Sequence, residues 1–563
     1  MNLVETYADC IVQNLDGKLG KQEVIGLIEK PKYKEQGELA FPCFALAKIL
    51  KKSPAQIANE LAEEFNDPLF EEVVADGPYL NGFLNKDYVS EITLKNIIEE
   101  GEKYGSHTIG EGKKIVLDVS SPNIAKPFSM GHLRSTVIGN SLSTIAEKCG
   151  FQTVKINHIG DWGTQFGKLI AAYKYWGEEQ KVRRNPIKEL LDLYVRFHEE
   201  AEYKPKLEDE ARKWFKNLEE GNEEALQLWK WFRDESLKEF EKIYQLLDVE
   251  FDSFHGEAFY NDKMVQTIDL ISNRGLLKYS EGAEVVELSE YDLPPSLIRK
   301  SDGATLYATR DLTAAIYRYN KFQFDKAIYV VGQEQSIHFQ QLFLVLEKMG
   351  YEWAKNMQHV SFGFILKEGK KMSTRKGKVV LLEEVIKEAI DLAEENIKTK
   401  NPQLENKREV AKMVGVGAII FHDLKNHRKN NVEFSLDDML RFEGSTGPYV
   451  QYTHARAKSI LKKAEANEVM KSPQGISDEY GWQVVKQLMG FPDVVERSHF
   501  QNDPSHIAKY LLELCRDFNK YYGQIKILQE DDQLESRLAL VKSVTIVLNG
   551  GLKLLGIKAP ARM

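Results

Sequence analysis

The stretch IVLDVSSPNIAKPFSMGHLRSTVIGNSLSTIAEKCGFQTVKIN, residues 115–157, decides the fold class of this 563-residue chain. Ile115–Val119 and Thr153–Asn157 are short apolar runs typical of buried strands. From Gly131 onward, apolar side chains recur at helical spacing as far as Gly150, a residue that suits a helix end. A strand, a helix and a second strand joined by short connections predict a βαβ unit and therefore a parallel sheet.

Further helix and strand patterns extend this order along the chain. The alternation returns as a strand over 326–331, a helix over 336–349 and a strand over 360–366. Residues 177–245 are highly charged with apolar positions at helical spacing, which predicts a helical insertion packed against the sheet. The last third of the chain is nearly all helix by pattern, with amphipathic stretches at 406–424, 446–466, 504–524 and 534–555.

Three regions of different character follow, and we predict a multidomain α/β fold. Residues 1–110 mix helix and strand signals and predict a small α+β module, with a Gly-rich linker over 101–113 at its end. Residues 111–395 hold the predicted parallel sheet and its insertion. Residues 396–563 predict an all-α region in two parts, the second of which begins at about residue 440.

Composition excludes several classes of protein. With 42% hydrophobic and 29% charged residues, the chain is too apolar to be disordered and too charged for a membrane protein. No apolar run reaches the ~18 residues of a membrane span, and the first twenty residues lack the pattern of a signal peptide. The cysteines are scattered without CxxC spacing, so we expect a reducing cytoplasm with neither disulfides nor a thiolate zinc site; they are Cys10, Cys43, Cys149 and Cys515.

The net charge of −9 argues by itself against a nucleic-acid partner, because phosphate binding depends on basic surface. Its distribution weakens that argument. Residues 1–112 alone sum to −9, whereas residues 396–563 sum to +5. A nucleic acid therefore remains compatible with the C-terminal third.

The loop between the first strand and its helix, SSPNIAKPFSMGHLRS at 120–135, carries the most informative chemistry. Open α/β sheets bind ligands at this place, and a helix N-terminus offers free N–H groups and a positive dipole end to a phosphate. Gly131 would allow a close approach to the backbone, and His132 can donate to a phosphate or ribose oxygen. The alternative is a capped helix with one surface histidine, but the lysine, the two prolines and the loop position favour a phosphate site.

A second segment, GKKMSTRKGK at 369–378, has five basic residues from Lys370 to Lys378 and no acidic one. A cationic loop beside a nucleotide site can clamp a triphosphate and neutralise charge as the bond breaks. A solvated basic turn is the alternative. The position directly after a predicted strand, and the Met-Ser within the segment, favour the nucleotide-binding interpretation.

Together the two segments resemble the paired signatures of class I aminoacyl-tRNA synthetases. SMGH at 129–132 stands at the first signature and KMSTR at 371–375 at the second, about 240 residues later. The likeness to arginyl-tRNA synthetases covers the whole chain, from GELAF at 37–41 to Arg562-Met563. The stretches that carry it are DVSSPN at 118–123, GHLRST at 131–136, HIGDWG at 158–163, YATRD at 307–311, QEQ at 333–335, MSTRKG at 372–377 and GPYVQY at 447–452.

This resemblance implies a Rossmann-like catalytic domain over 111–395, an N-terminal tRNA-recognition module and a C-terminal anticodon-binding domain. It also implies ATP-dependent ligation of L-arginine to its tRNA through an arginyl-adenylate, releasing AMP and diphosphate. ATP would enter with Mg²⁺ as a substrate complex, and no tightly bound metal or organic cofactor is expected. We expect a cytoplasmic monomer whose partners are tRNA, arginine and ATP, with no membrane.

The family pattern implies four sets of site residues. The catalytic charge stabilisers are Lys126, His132, Lys371, Arg375 and Lys376. The ATP-binding residues are Ser129, Gly131, His132, His338, Met372 and Ser373. The arginine-binding residues are Asp118, Ser120, Asn123, Tyr307, Asp311 and Gln335. The tRNA-binding residues are Tyr449, Gln451, Tyr452, Arg456 and Met563.

Elementary chemistry agrees with these assignments and leaves some alternatives open. A guanidinium needs carboxylates that accept paired N–H bonds, so Asp311 and Tyr307 would face it. Asp311 alone could instead be an acid that starts a helix, and Tyr449 and Tyr452 could be core residues of an amphipathic helix. The substrate carboxylate is already a nucleophile, so the absence of a Ser/His/Asp or Cys/His set is consistent with the reaction.

Two departures from the signatures affect the residue roles. Ser129 stands where a first histidine is usual; its hydroxyl can hydrogen-bond a phosphate but carries no charge. Thr374 stands where class I enzymes usually have a second lysine, although arginyl enzymes often lack it. Lys126 is expected to supply the missing cation.

Three rival functions fit the sequence less well. A glutamyl, glutaminyl or lysyl synthetase is disfavoured because Asp118 and Asp311 would repel an acidic substrate. A non-catalytic RNA-binding relative is disfavoured by the retained Lys126, His132 and basic loop. A small-molecule nucleotidyltransferase leaves the helical C-terminal third unexplained.

Overall fold

The computed structural model describes residues 3–15, 17–124, 126, 128–300, 307–371, 381–465 and 474–563. The first part of the chain folds into helices and three short strands. In chain order they are α1 (Leu3–Gln13), α2 (Lys21–Leu27), β1 (Leu39–Pro42), α3 (Phe44–Leu50), α4 (Pro54–Glu64), β2 (Phe70–Asp76), β3 (Tyr79–Leu84) and α5 (Lys86–Glu100).

The three strands form an antiparallel sheet in the order β1-β3-β2. The turn between β2 and β3 passes through Gly77, whose φ of 57° lies in the left-handed region that glycine adopts without strain. Helix α4 starts as its sequence predicts, because the Ser53 side chain accepts from the backbone N–H of Gln56 and Pro54 occupies the first turn.

The central part of the chain alternates strands and helices. Its elements are β4 (Lys114–Ser120), α6 (Met130–Lys148), β5 (Gln152–Asn157), α7 (Thr164–Trp176), α8 (Glu179–Arg184), α9 (Pro186–Tyr203), α10 (Lys206–Glu219), α11 (Glu223–Leu247), α12 (Met264–Asn273), β6 (Leu277–Ser280), β7 (Ala283–Val286), β8 (Ser296–Arg299), α13 (Tyr307–Phe322), β9 (Lys326–Tyr329), α14 (Ser336–Lys348), β10 (Met357–His359), β11 (Ile365–Lys367) and β12 (Lys370–Lys371). Residues 177–245, where the sequence predicts helices, fold as α8 to α11.

A parallel sheet in the order β10-β9-β4-β5 organises this part of the chain. The buried strand β4 is its pivot, with β5 on one side and β9 on the other. The chain leaves β4 through α6 to reach β5, and returns to the opposite side of β4 only at β9. Such a switch point opens a crevice at the carboxyl ends of the strands, where open sheets bind ligands. The βαβ unit predicted over 115–157 is confirmed.

The strand predicted over 360–366 is wrong. β10 joins the parallel sheet at Met357–His359, and β11 belongs to a different sheet, in the order β12-β11-β13. Between them lies Gly363, where a Cβ would meet the backbone carbonyls of Lys429 and Asn430 at 2.7 Å, so another chain segment interrupts the apolar run. The antiparallel sheet β6-β7-β8 was not predicted from the sequence.

Over 381–465 and 474–563 the last third of the chain is helical, as predicted, and also contains one two-residue strand. Its elements are α15 (Leu382–Lys400), α16 (Lys407–Leu424), β13 (Val432–Glu433), α17 (Leu436–Met439), α18 (Gly447–Lys463), α19 (Glu479–Met489), α20 (Phe491–Gln501), α21 (Ser505–Gln524) and α22 (Leu534–Leu554).

Residue contacts divide the chain into two compact units, each made of separate stretches of sequence. One comprises residues 1–104, 456–491 and 513–547, and the other comprises 105–455, 492–512 and 548–563. The three-domain division along the sequence stays a prediction. In the part of the chain that the structure describes, no helix has both the length and the apolar character that a membrane crossing requires.

A glycine sets the distance between α6 and β4. A Cβ at Gly139 would lie 2.4 Å from the side chain of Val119, so any larger residue must push the helix from the strand. We therefore expect Gly139→Ala to destabilise the protein by about 1–3 kcal/mol, measured as a lower thermal or denaturant midpoint. Gly523→Ala in α21 is the matched control, because nothing lies within 4 Å of that Cβ. Equal losses in both variants would contradict the packing argument.

Candidate active site at the carboxyl edge of the parallel sheet

Residues that follow three neighbouring strands meet at one edge of the parallel sheet. The loop 121–129 follows β4, His158 follows β5, and Gly332 to His338 follow β9. Backbone pairing continues past the strand ends, with isolated bridges from Asn123 to Gly160 and from Gly332 to Phe362. The candidate site is therefore built on loops that the sheet holds in fixed register.

Ser129 and His132 form a reciprocal cap at the start of α6. The backbone N–H of Ser129 donates to His132 Nδ1 at 3.1 Å, and Ser129 Oγ lies 3.3 Å from the same nitrogen. Because Nδ1 accepts, the neutral imidazole carries its proton on Nε2. The ring also packs edge-to-face on Phe128, with centroids 5.3 Å apart. The cap thus fixes both the tautomer and the orientation of His132.

Burial and the nearby Lys126 ammonium lower the pKa of His132 to about 4. The ring is therefore neutral at pH 7, and its Nε2–H is available as a hydrogen-bond donor without a positive charge. Lys126 supplies the positive charge of this loop; its Nζ lies 6.0 Å from the ring centroid of Tyr194, on the helical insertion.

Gly131 lies in the first turn of α6 and is exposed. A Cβ built there meets only Ser129 Oγ, at 3.6 Å, so the packing of the protein does not require a glycine at this position. The start of α6 is therefore uncrowded on the Gly131 side, and a helix N-terminus of this kind suits a phosphate.

Asp118 at the end of β4 forms a buried ion pair that the sequence analysis missed. Its carboxylate lies 2.9 Å from the guanidinium of Arg318 on α13, and both side chains are almost fully buried. Burial opposes the charge on Arg318, but Asp118 outweighs it and raises the pKa of Arg318. Ser120, two residues after Asp118, is also buried and lies 2.9 Å from the hydroxyl of Tyr244 and 3.1 Å from that of Thr136.

Asp311, one turn into α13, lies between two histidines. Its Oδ2 is 2.7 Å from His338 Nε2 and its Oδ1 is 3.6 Å from His158 Nε2. Burial by itself raises the pKa of Asp311, but His158 and His338 outweigh it and hold that pKa well below the usual range. Likewise, burial disfavours the charged form of His158, yet Asp311 raises its pKa overall. Asp311 is thus an ionised carboxylate at any working pH.

The other residues predicted to bind arginine lie on three different parts of the chain. Tyr307 is 58% exposed at the start of α13, and its ring lies 5.0 Å from that of His338. Gln335 is exposed in the turn before α14. Asn123 lies on the other side of the switch point, against Gly160.

Much of the second signature lies outside the described residues. Met372, Ser373, Thr374, Arg375 and Lys376 belong to that part. Lys371 is placed by its backbone, which pairs with Leu366 of β11. The hairpin β11–β12 therefore ends at Lys371, the first residue of the second signature.

Residues predicted to bind tRNA lie on α18 and at the last residue of the chain. Tyr452 is 36% exposed, and Tyr449 and Arg456 are half-buried. Gln451 does not belong with them: it is fully buried, and its amide donates to the backbone carbonyls of Met413 at 3.0 Å and Lys558 at 2.8 Å. The carbonyl of Met563 accepts from the side chain of Asn401 at 3.0 Å.

Sequence reasoning missed Arg318, His158 and Tyr244 as parts of the site. Arg318 had a detectable signal, because it follows Asp311 by seven residues and so shares its helix face. His158 falls within a stretch already compared with the family, whereas Tyr244 gave no signal. Among the described residues, no cluster of three or more His, Cys, Asp or Glu side chains could hold a metal ion.

Comparisons with known proteins identify the family. Three family models match successive parts of the chain: the arginyl tRNA synthetase N terminal domain over 5–84, the catalytic domain of "tRNA synthetases class I (R)" over 93–436, and the DALR anticodon binding domain over 450–563. The chain belongs to the arginyl-tRNA synthetase family.

Individual relatives span the whole of this synthetase. It is 60% identical over 563 residues to an arginine–tRNA ligase of Bacillus anthracis and 59% identical to one of Bacillus cereus, with all of each chain covered. The solved arginyl-tRNA synthetase of Thermus thermophilus has a TM-score of 0.81 at 25% identity, again over the full length of both chains. The predicted fold class, a parallel-sheet catalytic domain with an N-terminal module and a helical C-terminal region, is confirmed.

Proposed function

We propose that this synthetase joins L-arginine to its tRNA in two steps, with ATP entering as its magnesium complex. The observation that carries the proposal is the convergence of two unlike sites at one sheet edge. An ionised, largely buried carboxylate, Asp311, suits a guanidinium, and the uncrowded start of α6 at Gly131 suits a phosphate.

The proposed arginine pocket is centred on Asp311. The Asp311 carboxylate accepts hydrogen bonds from the guanidinium of the substrate, which replaces its contacts with His158 and His338. Tyr307 covers the guanidinium end of the substrate. Asp118, Ser120, Asn123 and Gln335 hold the α-amino and α-carboxylate groups. Arg318 holds the Asp118 carboxylate in place through the buried contact at 2.9 Å.

The adenylate step needs charge stabilisation rather than a base. An arginine carboxylate oxygen attacks the α-phosphorus of ATP, the bond from that phosphorus to the bridging oxygen breaks, and diphosphate leaves with the electron pair. His132 Nε2–H donates to the phosphate, Lys126 adds positive charge, and Lys371, Arg375 and Lys376 act on the departing diphosphate. His338, Ser129, Met372 and Ser373 hold the nucleotide.

In the second step, a ribose hydroxyl at the tRNA 3′ end attacks the arginyl carbonyl and AMP leaves. We assign tRNA contacts to Tyr449, Tyr452 and Arg456 of α18 and to Met563, and leave out the buried Gln451. Stacking of unpaired bases on aromatic rings beside a guanidinium is the expected mode of recognition. We propose a cytoplasmic monomer, in keeping with four cysteines that form no disulfide.

Exchange of diphosphate into ATP tests the proposal. Each of the twenty amino acids is supplied with and without tRNA carrying the arginine anticodon. We expect exchange with arginine alone, and only when that tRNA is present. Exchange with another amino acid would overturn the specificity, and no exchange under any condition would favour a non-catalytic relative.

The KM for arginine is expected to fall as the pH rises from about 6 to 8. His158 has a raised pKa and, when protonated, competes with the guanidinium for Asp311, so arginine must displace a proton at low pH. The groups that face His158 are Asp311 and Arg318 from α13, Asp118 from β4, and Glu257. The KM is measured by diphosphate exchange across this range.

His158→Gln is the matched control for this prediction, because it removes the titrating ring and keeps a polar side chain of similar reach. Its KM for arginine should vary little with pH. An unchanged pH dependence in His158→Gln would contradict the assignment to His158.

A further inference from the structure

Arg134 lies two residues after His132 on α6, yet its side chain is directed into the protein and only 1% exposed. Its Nε is 2.8 Å from Asp423 at the end of α16. Its two terminal nitrogens donate to the backbone carbonyls of Asn430 at 3.0 Å and Arg428 at 3.2 Å. A guanidinium presents these donors as one rigid fork, so Arg134 fixes the 428–430 backbone relative to the start of α6.

The segment 428–434 in turn is hydrogen-bonded to β11, the strand that leads to the second signature. β13 pairs with β11 in parallel, the N–H of Gly363 donates to the carbonyl of Arg428, and that of Gly369 donates to the Glu433 carboxylate. β11 then pairs with β12, which ends at Lys371. The Arg428 carbonyl therefore accepts both from the Arg134 guanidinium and from the N–H of Gly363, two residues before β11.

A second connection runs through Phe362. The Arg134 guanidinium lies 5.7 Å from the centroid of the Phe362 ring, and the carbonyl of Phe362 accepts from the N–H of Gln333. Arg428 closes the arrangement by donating to the carbonyls of Ser361 at 2.7 Å and Asn502 at 3.0 Å. Arg134 thus contacts the segment 361–371 directly at the Phe362 ring, and indirectly at Gly363 through the Arg428 carbonyl that both residues share.

We propose that Arg134 is a positioning residue for adenylate formation, which sets the hairpin β11–β12, and with it the backbone of Lys371, relative to His132. The inference rests on the role proposed above for Lys371. It concerns the diphosphate side of the reaction and not the arginine pocket. The side chain of Asp311 is held by a different set of contacts, those of His158 and His338.

Arg134→Lys tests this proposal, because it keeps the charge that the buried Asp423 needs and removes the fork. We expect kcat for arginine- and tRNA-dependent diphosphate exchange to fall about 10- to 30-fold, with the KM for arginine within about twofold of the parent. Arg537→Lys is the matched control in the other compact unit. Arg537 is also buried and donates to two backbone carbonyls and an aspartate. Its replacement should leave kcat unchanged.

A double mutant distinguishes positioning of the hairpin β11–β12 from a general loss of structure. If Arg134 acts through this hairpin, Lys371→Ala and Arg134→Lys are not additive, and the double variant has a kcat within about threefold of Lys371→Ala alone. Multiplied effects, or a Lys371→Ala variant as active as the parent, would overturn the inference. Failure of the parent itself to exchange diphosphate would instead overturn the proposed function.

Gly363→Ala keeps the proposal testable if Arg134→Lys does not fold. Its Cβ would press on the carbonyls of Lys429 and Asn430, so it displaces the same segment from the opposite side. The same fall in kcat with an unchanged KM for arginine supports the inference. A change in the KM for arginine alone would overturn it.

Discussion

Asp311→Asn is expected to raise the KM for arginine about 100- to 1,000-fold while changing the KM for ATP by less than about threefold. The substitution removes the negative charge that faces the guanidinium and retains an oxygen that can accept from His338. Loss of one partner of a largely buried ion pair costs about 3–4 kcal/mol, and each 1.4 kcal/mol is a tenfold change. The measurement is diphosphate exchange with arginine and ATP varied in turn.

Asp262→Asn is the control, because Asp262 is a largely exposed carboxylate that contacts the neighbouring Lys263. It should leave both KM values unchanged. Equal increases of the two KM values in Asp311→Asn would contradict the role in arginine binding, and would place Asp311 with the nucleotide through its contact with His338.

Local patterns predicted the elements of the catalytic region well because they depend on neighbouring residues. The run Ile115–Val119 is buried on both faces, and the helix that begins at Met130 is capped by Ser129 and His132. The helical spacing of apolar residues over 177–245 arises because each helix there buries one face. Such features need only the residues within a few turns of each other.

Pairings between distant residues could not be predicted in this way. Asp118 and Arg318 are 200 residues apart, and only the neighbouring positions of β4 and α13 bring them to 2.9 Å. The prediction of a strand over 360–366 is also wrong because of a distant part of the chain. The Lys429–Asn430 backbone comes close at Gly363 and divides the apolar run. Gln451 looked like a polar surface residue, yet the C-terminal segment covers it at Lys558.

His132→Ala is expected to lower kcat for arginine-dependent diphosphate exchange about 100- to 1,000-fold, with little change in the KM for arginine. Removal of one preorganised donor at a site where charge develops costs about 3–4 kcal/mol. The cap contributes to this preorganisation, because the Ser129 N–H holds Nδ1 and leaves the proton on Nε2. His506→Ala, which removes a half-buried imidazole that contacts Gln501, is the control and should retain the parent rate.

His132→Gln distinguishes hydrogen-bond donation from charge. A glutamine amide N–H can reach the position of Nε2–H and carries no charge, so this variant should keep a kcat about tenfold or more above that of His132→Ala. Because the pKa of His132 is about 4, the parent should also show no ionisation of this ring in kcat between about pH 6 and 9. A Gln variant as slow as Ala, together with a kcat that falls as the pH rises through 6 to 7, would mean that the imidazolium is the working form. The low pKa and the accepting Nδ1 argue for the neutral ring, in which case Lys126 and the basic loop supply the positive charge that neither His132 nor Ser129 carries.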